Sequence, residues 1–200
     1  MSLFDSLNLG SLKRKAEKAV KDAVQDAVKD VVNQAKNESH TFTFQTLPET
    51  LDELKALPEA RLDTPFKTAA LTICALCAYA NSPEVGIDML NFLKGPQPLS
   101  NRELQFLQDA FKDKKSVPFS YFKGAVPSNN YTPDRPYSVT FHTNPYSYQS
   151  EGYCMLHVKS GGADSERQVN LRKKGDQWFL WEHQQVMVGI RKSASEDPWA

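Results

Sequence analysis

The chain has 200 residues, 40% of them apolar, and its 24 Lys and Arg are balanced by 24 Asp and Glu. That is apolar material for one core of moderate size, and a net charge of zero supplies no overall field to draw the chain to nucleic acid. Three cysteines form no disulfide framework, the N-terminus carries no secretory signal, and the longest nearly apolar run, Ala69 to Ala80, falls short of the roughly 20 residues that cross a bilayer. The expectation is a cytoplasmic protein with free thiols.

The first predicted element is a long amphipathic helix over about Leu12 to Lys36, a stretch without Gly or Pro that would reach roughly 37 Å. Four near-copies of a tetrapeptide run through it, from Glu17-Lys18-Ala19-Val20 to Lys29-Asp30-Val31-Val32. Val20, Val24, Val28, Val31 and Val32 lie with the alanines on an apolar arc of roughly 200°. A period of four overshoots the 3.6-residue turn, so the stripe drifts in the sense that favours a right-handed crossing. This arm is the candidate surface for self-association or for packing against a partner helix. Folding back over its own domain is the plainer alternative.

Residues 47–114 read as a run of short helices with legible starts. Thr64 before Pro65 and Ser82 before Pro83 place a side-chain acceptor at the N-cap and a residue without an amide hydrogen at N1. Ser100 with Glu103 has the spacing of a capping box. Phe66, Ala69, Ala70, Ile73, Cys74 and Cys77 recur at helical spacing, as do Val85, Met89, Leu90, Leu93 and then Leu104, Leu107, Phe111. Gly95-Pro96-Gln97-Pro98 forces a turn. The Cys74-Ala-Leu-Cys77 spacing suits zinc or a redox dithiol, yet inside an apolar helix core packing is the favoured reading, and no metal or cofactor is expected.

Residues 117–136 read as a long irregular connection. Period-two alternation then marks strands through Tyr137 to Phe141, Cys154 to Val158 and Val169 to Leu171, and Lys173-Lys174-Gly175-Asp176 reads as a hairpin turn into Gln177–Glu182. Short connections favour an antiparallel meander. The predicted class is α+β, with an arm over 1–38 and one globular domain over 39–200: helices 47–114, loop 117–136, sheet 137–191 and tail 192–200.

Six of the seven tyrosines cluster from Tyr121 to Tyr153. Tyr121, Tyr131, Tyr146 and Tyr148, with their rigid faces and polar tips, are candidates for a recognition surface, although rings that merely pin the long loop would leave the same pattern. His142 and His157 fall where neighbouring strands would set them opposite each other. Arg167, Arg172, Lys173 and Lys174 read as the solvated end of a hairpin, with an anion site as the alternative. Trp199 is next to last and is expected to dock, on its own domain or on a neighbour.

The segments Thr46-Leu-Pro-Glu-Thr-Leu, Leu62-Asp-Thr-Pro-Phe-Lys-Thr-Ala-Ala-Leu, Val117-Pro-Phe-Ser-Tyr-Phe, Gln177-Trp-Phe-Leu-Trp-Glu and Glu196-Asp-Pro-Trp resemble a family of bacterial proteins of unknown function. The resemblance runs from about Phe42 to Ala200. It implies one domain and a bacterial cytoplasmic setting, and it carries over no activity, cofactor or site residue.

The function expected from these readings is a non-enzymatic interaction or assembly module, with a protein partner or a second copy bound through the arm and the Tyr-rich surface. One alternative is a small-ligand binder or enzyme with a pocket between helices and sheet, using His142, His157 or Asp134. Another is peripheral membrane association through the arm, against which Asp22, Asp26 and Asp30 stand.

Overall fold

In the computed structural model the described residues are 14–15, 17–21, 38–197 and 199. The expected long arm helix therefore lies mostly outside them. Residues 14–15 and 17–21 are helical.

Strand β1 (Ser39–Phe44) opens the domain, followed by helices α1 (Leu51–Ala56), α2 (Pro65–Asn81), α3 (Pro83–Lys94) and α4 (Asn101–Phe111). Strands β2 (Tyr137–His142), β3 (Tyr153–Val158), β4 (Arg167–Lys174) and β5 (Gln177–Glu182) complete one antiparallel sheet in the order β1-β2-β3-β4-β5. The α+β class and the meander are as expected. Strand β1 is an addition: Phe42 and Phe44 alternate with Thr41 and Thr43, but the partner strand is about 100 residues away and no local pattern announces it. The sheet also ends earlier than 191, because after Glu182 the chain turns into a 3-10 helix over Gln184–Met187.

Helix α2 is the centre of the packing. Fourteen of its 17 residues are buried, so it has no solvent face, and it touches all five strands as well as α3. Its buried threonines are satisfied without water: Thr68 Oγ1 donates to Trp178 O at 2.6 Å and Thr72 Oγ1 to Thr68 O at 2.8 Å. Against it lie the inward rows of the sheet, Val139 and Phe141, Leu156 and Val158, Val169 and Leu171, and Leu180. Cys74, Cys77 and Cys154 are part of this core, and burial pushes the Cys154 thiol up to about 12. Thiols so placed are packing groups, not nucleophiles.

The helix starts follow their caps. Thr64 Oγ1 accepts from Lys67 N, and Ser100 and Glu103 form the reciprocal capping box. Ser82 departs from expectation: it closes α2 through its own N–H to Ala78 O and accepts Gly86 N to open α3, but its hydroxyl makes no capping bond. One residue between two helices leaves no room for a loop, so α2 and α3 must pack almost immediately. Gly86 permits it. A Cβ at this position would overlap the backbone and Cβ of Tyr79.

Between β2 and β3 the sheet is joined by two residue pairs, Phe141 with Val158 and His142 with His157. The segment after the helices wedges in beside them, Lys123 N donating to Ser138 O and Gly161 N to Ser120 O. The expected loop 117–136 is thus a structural insert containing 3-10 turns at Val117–Tyr121 and Pro127–Asn129.

Replacing Gly86 with Ala should lower stability by about 1–3 kcal/mol through overpacking, although alanine is the better helix former by about 1 kcal/mol. Urea unfolding measures it; a variant as stable as the parent would show that α2 and α3 do not approach so closely.

Candidate recognition cleft

The cleft begins at the C-terminal end of α3. Close packing on α2 carries the last residue of α3, Lys94, under the edge of β5, where it is 7% exposed. A buried ammonium needs partners. Lys94 Nζ donates to Glu103 Oε1 at 2.7 Å and to Trp181 O at 3.2 Å. The other carboxylate oxygen of Glu103 accepts Ser100 N at 2.9 Å and Ser100 Oγ at 2.7 Å. One carboxylate therefore caps α4 and holds the end of α3. Burial alone would raise the pKa of Glu103, but Lys94 and the Ser100 donors outweigh it and hold it below the usual value. Gly95, at φ +61, ends the helix, and Asn91 Oδ1 accepts Leu99 N at 2.8 Å to close the Pro96–Pro98 turn.

Facing this turn is the β4–β5 hairpin. Its register slips between Asn170 and Leu171: Leu171 pairs with Leu180 and Asn170 with Glu182, so Trp181 is an extra residue in β5. Such a bulge re-aims side chains. The Arg172 guanidinium lies 4.9 Å from the Trp181 ring centre and 5.5 Å from that of Tyr153, and the Lys173 ammonium lies 5.9 Å from Trp178. Between hairpin and turn is a cleft of about 420 Å³. Phe179, Trp181 and Pro96 give it an apolar wall, and Lys94, Arg172, Lys173 and Lys174 line it; among the described residues no carboxylate does. A neighbouring depression beyond Trp181 differs, since Glu103 and Glu182 line it.

Behind the cleft sits His183, fully buried, with neither ring nitrogen bonded among the described residues. Burial first and the nearby Lys94 charge second push it down to about 4, against some lifting by Glu103. An imidazole in such a place is neutral and acts as a hydrophobe with two stranded polar atoms.

The residues singled out from the sequence separate into groups. Tyr121 and Tyr131 are corrected: they are 4% and 1% exposed, and their hydroxyls donate at 2.7 Å to Val186 O and Arg191 O, so they pin the insert and tail and offer no surface. Tyr146 and Tyr148 are exposed, and the Tyr148 ring stands edge-on to Trp178 at 6.4 Å, next to the hairpin. Trp199 is 93% exposed and is not docked on the described residues of its own domain. Val20 is exposed on the arm; Val24, Val28, Val31 and Val32 lie outside the described residues.

His142 and His157 do oppose each other, their rings stacked at 5.7 Å. His142 Nε2 is 2.9 Å from Glu166 Oε2, and His157 Nε2 is 2.8 Å from Asn144 Nδ2. Asp134 lies against Gly124, its N–H donating to Lys123 O, and both of those residues line one depression with His142. Arg167 donates to the carbonyl oxygens of Val188 and Gly189. Among the described residues no group of three or more His, Cys, Asp or Glu is placed to hold a metal ion, and no helix is long and apolar enough to cross a membrane.

His183 yields a pH prediction. Its folded pKa of about 4 lies below the ordinary 6.5, so the unfolded chain takes up the proton first as pH falls. The stability it confers is present above pH 6.5 and is lost on the way down to about pH 4, a loss of about 3 kcal/mol. Chemical denaturation of His183→Leu should show a shallower decline than the parent across that window; parallel curves would contradict the assignment.

Comparison with curated proteins and with solved structures returns no match. A family model does match, over residues 46–194, which takes in all four helices and strands β2 to β5 and leaves β1 and Trp199 outside. The chain belongs to that family, described as a domain of unknown function (DUF6935).

Proposed function

We propose that the protein is a non-enzymatic interaction module whose recognition site is the cleft at the β4–β5 hairpin, and that it takes an acidic protein segment carrying an aromatic side chain. The observation that carries this reading is the local separation of charge. In a chain with 24 residues of each sign, Arg172, Lys173 and Lys174 come together at a cleft with an aromatic wall, and no described carboxylate lines it. Apolar walls with a few oriented charges are the usual make-up of a ligand site. Cations already seated on aromatic faces offer a carboxylate a partner and an indole or phenyl ring a stacking surface.

Tyr148 stands edge-on to Trp178, at the hairpin but outside the lining of the cleft. The protein-partner expectation is kept, with the binding surface moved from Tyr121 and Tyr131 to the hairpin. Self-association through the arm stays a separate proposal resting on its valine stripe.

A second reading has one observation in its favour. The His142–Glu166 pair, with both side chains about a third exposed, opens on a depression of about 730 Å³ that Lys123, Lys159, Ser138 and Thr140 also line. An imidazole held by a carboxylate beside hydroxyls and ammonium groups suits a small polar ligand.

The two are separated by a labelled synthetic peptide carrying aspartates on either side of a tryptophan, with a lysine-for-aspartate peptide as control. Fluorescence anisotropy should give a Kd in the range of about 1–100 µM for the acidic peptide and none for the basic one. Arg172→Glu with Lys173→Glu should weaken binding at least about tenfold, as should raising salt to about 0.5 M. Equal binding of both peptides, or binding unaffected by the double variant, defeats the proposal. Loss on His142→Ala alone would favour the second reading.

A further inference from the structure

We infer that the acidic, aromatic-bearing segment is this chain's own tail, Asp197 with Trp199, presented by a second copy. The inference rests on the reading of the cleft just given and names its occupant.

Four features support it. The stem of the tail is fixed. Arg191 O accepts the Tyr131 hydroxyl, Ala194 N donates to Pro127 O, and Ser195 N donates to Asn130 Oδ1 at 2.7 Å. Glu196 then locks the end of the stem: its carboxylate accepts Ser116 N, Ser116 Oγ and Ser193 Oγ. These donors hold its pKa below the usual value against the opposing effect of burial.

Beyond this lock the chain offers its largest apolar side chain to solvent. Trp199 at 93% exposure fills no cleft among the described residues of its own copy. An isolated exposed Leu needs no explanation, but an indole held out from a pinned stem has the form of an anchor, and Trp is the residue type most enriched among interface hot spots.

Third, Asp197 Oδ1 accepts the backbone N–H of Trp199 at 3.0 Å, which ties a carboxylate to the residue that bears the indole. Fourth, the cleft carries the complementary pair, guanidinium and ammonium groups beside Trp181 and Phe179, in a volume of about 420 Å³. Acid and ring on one side therefore meet base and ring on the other.

Tail and cleft are different surfaces, so the contact is heterologous: each copy gives one tail and receives one. Assemblies of that kind close into rings or grow into chains.

Sedimentation velocity on the full chain, from about 1 µM to about 1 mM, should show mass rising with concentration and falling with added salt. Two variants divide the interface, Trp199→Ala with the cleft intact and Lys173→Glu/Lys174→Glu with the tail intact. These positions are exposed, so thermal unfolding should stay unchanged. Each variant alone should associate at least about tenfold more weakly than the parent. Mixed, they should form a 1:1 complex and nothing larger, because one productive tail–cleft contact remains between them. A parent that is monomeric throughout, a Trp199→Ala variant that associates like the parent, or a mixture that stays monomeric overturns the inference. In the second case the contact belongs to the arm. If the acidic peptide binds the cleft while the copies ignore one another, the reading of the cleft survives and the tail is not its ligand.

Discussion

Everything in this fold depends on burying one helix on all sides. Helix α2 has a carbonyl, an amide or a hydroxyl to satisfy at every turn and no water to help, and a helix can meet that condition because its backbone bonds are internal. What remains is side-chain chemistry. Small residues, Ala69, Ala70, Ala75 and Ala78, let neighbours come close, while Thr68 and Thr72 return their hydroxyls to backbone carbonyls. The sheet covers one side. Helix α3 covers another, at a distance fixed by the single residue Ser82 and by the missing side chain of Gly86.

That same constraint builds the cleft. Because α3 leaves α2 without a loop and runs tight against it, its last residue arrives under β5, and an ammonium there must be matched in low dielectric. Glu103 supplies the match from the first turn of α4, and its second oxygen is taken by Ser100. The first turn of α4 is thus tied to the end of α3 by the neutralisation of one lysine, while Asn91 closes the Pro96–Pro98 turn between them. His183, stranded beside this pair, is the uncompensated part of the arrangement, as its lowered pKa reflects.

The helices were legible in the sequence because their information is local: Thr64, Pro65, Pro83, Ser100 and Glu103 each act within one turn. So was the hairpin, whose Gly175 adopts φ +60 as such a turn requires. Pairings across the chain were not. Strand β1 finds β2 about 100 residues on, and nothing in Ser39–Phe44 alone states that distance. Tyr121 and Tyr131 look like surface residues by composition, and only the fold reveals that their hydroxyls reach the backbone of the last turns. At the cleft, the basic run at Arg172–Lys174 could be read, whereas its aromatic backing could not, since Trp181 reaches Arg172 through a register slip that period-two alternation does not encode. The Lys94–Glu103 pair leaves only a faint trace, a lysine in the last turn of one helix and a glutamate in the first turn of the next.

The cations of the cleft are therefore of two kinds. Lys94 is enclosed and neutralised, so it contributes shape: it holds Trp181 O and the helix end, and its charge is already answered by Glu103. Arg172, Lys173 and Lys174 are exposed; Arg172 and Lys173 lie over ring faces and none of the three is in an ion pair among the described residues, which leaves their field directed outward. A cation on a π-face keeps its charge available to a partner in a way that a cation in an ion pair does not. The balanced composition of the chain conceals this arrangement, because a sum over residues counts a lysine answered from within and a lysine left unanswered as the same.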